Sequence, residues 1–247
     1  MPTPRFLTFA PAVALAALLQ GPIAHAAVFA QFQPDTSVPD FSWVNNGSSG
    51  QFLSGTGATA SPIAVHFDFL DPSLSGLGFL PAAFTLDAST VATPAINNGG
   101  GLFTQTNVGG TFSFIYTGPT QTVGGVTLTQ NVTNLLSGVF SGAWIQGIGG
   151  SGSANRSAPV GSLTYTSDLE HFAHLTAGTQ EFAFNLLTVS PGFGASAGSS
   201  LNSFTADGGG NFSFSGAVPE PAAWAFMIAG FSLAGAMLRS RRRFAHA

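Results

Sequence analysis

Between residues 27 and 218 apolar side chains recur at alternate positions, and clusters of glycine interrupt them. In a strand, residues i and i+2 share a face, so this period commits the chain to half-buried strands. Ile63-Ala64-Val65-His66-Phe67-Asp68-Phe69 places four apolar side chains on one face and Ala64, His66 and Asp68 on the other. Thr111 to Tyr116 and Asn211 to Phe214 repeat the pattern. Further strand stretches are Phe84 to Ala88, Val126 to Gln130, Leu135 to Ile145, Ser162 to Thr166 and Glu181 to Val189. Turn signals separate them at Asn97 to Gly100, Gly109-Gly110, Gly124-Gly125, Gly147 to Gly152 and Gly208 to Gly210. No stretch follows a 3.6-residue period. The pattern predicts an all-β fold: a β-sandwich or jelly-roll-like body of two packed sheets with Phe-rich inner faces, rather than a closed barrel. The stretches 97–110 and 147–159, rich in Gly, Ser and Asn, read as long loops.

Charge narrows the function classes. The chain of 247 residues has 6 basic and 10 acidic side chains and no Cys. Between residues 27 and 218 nine acids face a single base, Arg156. Nucleic acid is therefore not a partner, because phosphate binding needs clustered positive charge. The sparse negative surface also argues against anionic ligands. Long apolar runs occur only at the two ends, which excludes a multi-span channel or transporter.

Those ends read as addresses. Residues 1–26 have the form of a secretory signal peptide, with Arg5, an apolar segment from Phe6 to Leu19, and a small-x-small cleavage site at Ala24-His25-Ala26 before Ala27. Export then runs through the Sec machinery. At the other end Val218-Pro219-Glu220-Pro221 precedes an uncharged segment, 222–238, followed by Arg239, Arg241, Arg242 and Arg243. As a helix rising ~1.5 Å per residue, 222–238 spans ~25 Å, and snorkelling arginines extend it toward a ~30 Å hydrocarbon core. Pro221 suits a first helical turn, Glu220 meets the positive end of the helix dipole, and the arginines meet its negative end. The arginine cluster stays cytoplasmic by the positive-inside rule, while the signal peptide exports the body. Both ends therefore predict one topology: body outside, last residues inside.

Residues 218–243 resemble the PEP-CTERM sorting tail of Gram-negative bacteria, in the variant with Trp-Ala after the Pro-Glu-Pro. The matching positions are Pro219, Glu220, Pro221, Trp224, Ala225, Met227, Gly230, Phe231, Gly235, Arg239 and Arg241 to Arg243. The resemblance implies recognition by an exosortase, a membrane-embedded cysteine transpeptidase-like enzyme that would cut near Pro219-Glu220-Pro221. It also implies an association with exopolysaccharide and biofilm matrix, with the inner membrane as a transient anchor. The alternative is an ordinary tail anchor that is never cut. Asn134 to Gly138 and Gly161 to Asp168 are weakly similar to phrases in other bodies with this tail, and bring no activity with them.

Several motifs in the body invite chemistry. Gly147-x-Gly149-x-x-Gly152, with Asp168 and Glu170 downstream, matches a dinucleotide fingerprint, but it leads into Ser153 to Pro159 rather than a helix, so no cofactor is expected. Gly194-Ala195-Ser196-Ala197-Gly198 matches a nucleophile elbow, yet no body histidine follows it. In Asp168-Leu169-Glu170-His171-Phe172-Ala173-His174, the histidines fall on opposite strand faces, so a metal would need a turn to bring them together. Asp68 and Asp71 beside Pro72 form a weak Ca²⁺ candidate without a defined loop. No metal is assigned to either. Trp43 and Trp144, the body's two tryptophans, are core if buried and candidate glycan contacts if exposed.

The expectation is a non-enzymatic, exported surface or matrix protein. Its domains are the signal peptide 1–26, the body 27–217 and the sorting tail 218–243. A glycan-binding module for the exopolysaccharide is the alternative. A secreted hydrolase, limited to His66, His171 and His174 for its base, is the third reading.

Overall fold

The computed structural model describes residues 27–35, 38–156, 162–169 and 179–215. The signal peptide, the sorting tail, and His171 and His174 lie outside the described residues. The described chain is all-β. In order its strands are β1 (Ala27–Pro34), β2 (Phe41–Asn46), β3 (Ser49–Ser54), β4 (Ile63–Phe69), β5 (Leu80–Thr90), β6 (Ile96–Asn97), β7 (Leu102–Tyr116) and β8 (Gln121–Val123). They continue with β9 (Val126–Leu128), β10 (Asn134–Ile148), β11 (Ser151–Arg156), β12 (Leu163–Thr166), β13 (Thr179–Ser190), β14 (Phe204–Asp207) and β15 (Gly210–Ser215).

The alternation maps directly onto burial. In β4, Val65, Phe67 and Phe69 are buried, while Ala64 and His66 are exposed. Both stretches expected as loops carry strand. Residues 102–110 extend β7, and Ser151–Arg156 forms β11, leaving tight turns between long paired strands. Composition was a poor guide there because neighbours in the sheet, not local propensity, supply the hydrogen bonds. Gly149, at φ 55, makes the β10–β11 turn in a conformation that a side chain would oppose.

Hydrogen bonds join all strands except the separate β8–β9 pair into one antiparallel 13-stranded sheet. The sequence predicts two packed sheets rather than a closed barrel; instead one ladder joins them and closes on itself through the β5–β7 and β13–β14 pairings, because β5 and β13 each share an edge between two neighbours. β5 pairs with β7 along residues 82–89 on one edge. On its other edge it pairs first with β4 and then with β3. β13 behaves alike, with β11 on one edge and β15 then β14 on the other. Two bands therefore run from β5 to β13, one through β4, β1 and β15, the other through β3, β2 and β14. β7, β10 and β11 complete the circuit.

Phenylalanine fills the enclosed space. Phe32 of β1 meets the rings of Phe84, Phe114, Phe184 and Phe212 at centroid separations of 4.9, 5.1, 5.5 and 6.1 Å. The first two are tilted, the third edge-on and the fourth stacked, and such contacts add to the area term because ring edges and faces attract. The two Phe-Ser-Phe stretches converge here: Phe112 and Phe114 of β7 both contact Phe212 of β15. Trp43 enters the core beside Gly50, where a Cβ would lie 2.1 Å from the indole Cζ2.

Candidate functional site

Side chains able to do chemistry are few, and the fold separates most of them. Trp43 is 1% exposed, and its indole N–H donates to the Leu201 carbonyl at 2.9 Å. It presents no face to a ligand, which removes it from the candidate glycan contacts. Trp144 differs: on β10 it lies between buried Ala143 and Ile145, projects from the other face, and is half-buried.

Around the outside of the sheet the register gathers polar groups, carboxamides beside carboxylates. Asp68 of β4, Gln31 of β1 and Asn211 of β15 lie side by side across three strands. The Gln31 amide donates to Asp68 at 3.3 Å. One step along, His66 faces Gln33 and pairs with Asp35 at 3.5 Å. A groove of about 450 Å³ opens beside them, lined by Gln31, Gln33, Asn185, Asp207 and Asn211 over the floor of Gly208 to Gly210. Carboxamides both donate and accept, so this surface suits hydroxyl-bearing ligands more than ions.

The acidic candidates are engaged locally. Asp71 accepts hydrogen bonds from the Ser73 amide at 2.9 Å and the Ser73 hydroxyl at 2.5 Å, closing a turn. Asp168 accepts from the Asn134 amide at 2.7 Å and returns its own amide to the Asn134 carbonyl, tying its loop to the start of β10. Among the described residues no group of three or more His, Asp or Glu is placed to hold a metal. The two glycine motifs also read structurally. A Cβ on Gly147 or Gly152 would meet the Phe193 ring within 2.6 Å, and Ser196 sits in a turn closed by the Ser199 amide.

Sequence reasoning missed one arrangement, the approach of Asp40 to Asp207. These carboxyls are remote in the chain, and no motif links them. Asp40 is 1% exposed, and its Oδ2 accepts the Gly208 amide at 3.1 Å. Burial pushes its pKa up to about 6; the Gly208 hydrogen bond works against that rise, and the charge of Asp207 adds to it.

The sorting residues Pro219, Glu220, Pro221, Trp224 and Arg239 to Arg243 lie outside the described residues, as do Ala24 and Ala26. Ala27 opens β1 and pairs with Phe214. Comparison of the chain with protein-family models, with curated proteins and with solved structures finds no match.

Proposed function

We propose that this chain is an exported, exosortase-sorted surface or extracellular-matrix protein without catalytic activity of its own. The observation that carries this reading is the tail, in which Pro219-Glu220-Pro221, an uncharged 17-residue segment and four arginines follow one another in sorting order. In the proposed sequence, Sec exports the body and Arg239, Arg241, Arg242 and Arg243 hold the tail inside. The exosortase then cuts near the Pro-Glu-Pro, and the body moves from the inner membrane to the cell surface or matrix. A 27–217 body with one base among nine acids is compatible with life outside the cell, where self-repulsion limits association.

Intact mass of the protein from the host's culture medium and membranes tests the scheme. A species beginning at Ala27 and ending near Pro219 to Pro221 is expected, and replacement of Glu220 should retain the protein in the membrane. A membrane species still ending at Ala247, with no processed form, would refute sorting and leave a permanent anchor.

The polar groove beside Gln31 and Asn211 favours a second reading, binding of a neutral glycan. Titrating the full chain with neutral polysaccharides by calorimetry should give heats that Gln31→Ala reduces. No heat with any of them would remove this reading without touching the first.

A further inference from the structure

The seam between β2 and β14 closes one of the two bands of the sheet, and it is thin. Three register pairs join β14 to β2, from Phe204↔Trp43 to Ala206↔Phe41. Two join it to β13, with an irregularity between them. Thr188, within that irregularity, has φ 51, a left-handed conformation that a β-branched residue resists.

At the end of this seam the backbone grips Asp40 firmly. Its amide donates to the Ala206 carbonyl at 2.9 Å, and its carbonyl accepts the Gly55 amide at 2.7 Å. The Gly208 amide completes the grip at Oδ2. The contacts to Ala206 and Gly208 bracket Asp207. Oδ1 of Asp40 and Oδ1 of Asp207 are both buried, and neither has a hydrogen-bond partner among the described residues. Two unpartnered carboxylate oxygens out of water demand a counter-charge or a proton.

Among the described residues, the strands that flank the seam bring no positive side chain. β2 and β3 carry no ionisable side chain, and β14 carries only Asp207. On β13 the only acid is Glu181, opposite Ser213 near the other end of the strand, and β5 brings Asp87 opposite Leu53. His66, on β4, is engaged with Asp35.

We propose that Asp40 and Asp207 form a proton-operated clasp on the β2–β14 seam. With Asp40 protonated the pair carries one negative charge, and the seam stays shut. When that proton leaves to bulk water, Asp40 carries a buried charge; the cost of keeping that charge out of water, with repulsion from Asp207 added, opens the seam locally. The rest of the sheet stays folded, because β7 and β10 meet over eleven register pairs.

Hydrogen exchange on the full chain between pH 5 and 8, corrected for the intrinsic rate, tests the clasp. Protection in peptides covering 41–46 and 203–208 should fall about tenfold or more as pH rises, each unit of pKa displacement corresponding to a factor of about ten. Peptides from β7 and β10 should not change and report that the fold is intact. Asp40→Asn removes the titrating group at constant shape and should abolish the fall, while Asp207→Asn removes only the neighbouring charge and should reduce it. Protection independent of pH in the wild type, or an unchanged fall in both variants, would overturn the clasp. So would recovery of protection with millimolar calcium chloride at pH 8, which would put a cation rather than a proton at the pair.

Discussion

Replacing Phe32 by Ala should weaken this fold more than almost any other single truncation. The side chain is 1% exposed and touches rings from β5, β7, β13 and β15 at once. Its neighbours belong to a closed circuit of strands, so they cannot collapse into the space without breaking ladder hydrogen bonds. Phe→Ala in such a site costs about 3–5 kcal/mol, cavity included. For a body of this size each kcal/mol lowers Tm by roughly 2–4 °C, so the expected fall is roughly 6–20 °C. Differential scanning calorimetry on the full chain measures it. Val139→Ala, on a side chain 63% exposed, serves as the control and should stay within about 0.5 kcal/mol of wild type. Adding Phe212→Ala should give a coupling energy of about 0.5–3 kcal/mol, because both truncations open one shared cavity. A fall below about 4 °C, or strict additivity of the pair, would mean that the aromatic centre relaxes freely and would refute the closed-core argument.

Gly50→Ala should destabilise by about 1–3 kcal/mol in urea unfolding, since the new methyl must displace the Trp43 indole from its bond to Leu201. Thr188→Gly should raise stability by about 1 kcal/mol in the same assay by relieving the left-handed conformation; a loss would show that the Thr188 side chain matters more than its backbone. Asp40 is raised from 3.8 to about 6 in the folded protein, so its contribution is full below pH 3.8 and is lost as pH rises through 6. The size of that loss is about 1–3 kcal/mol, the lower figure allowing for screening by water in the adjoining groove. Unfolding free energies from pH 4 to 8 should show it in the wild type and not in Asp40→Asn.

The class of fold was legible because its cause is local. Ile63 to Phe69 reads as a strand from its own alternation, and so do Thr111 to Tyr116 and Asn211 to Phe214, which lie within β7 and β15. Where the cause is a neighbour, local reading failed. Ser151–Arg156 looks like a loop by composition and becomes β11 because Trp144 to Ile148 and Phe182 to Leu186 flank it on either side. Trp43 and Trp144 are indistinguishable as letters. One lies under Leu201 and the other on the outer face, a difference set by which face of its strand meets the core.

By itself the sequence determined the period-2 strands, the shortage of positive charge in the body, and a tail whose order of residues carries the proposed address. These are properties of neighbouring residues along the chain. Only the tertiary structure decided that β5 and β13 each divide one edge between two partners, and that Asp40 meets Asp207 across a strand seam. Alternation orients a side chain toward one face of its strand but carries no record of which strand lies alongside. That choice belongs to the packing of the whole set.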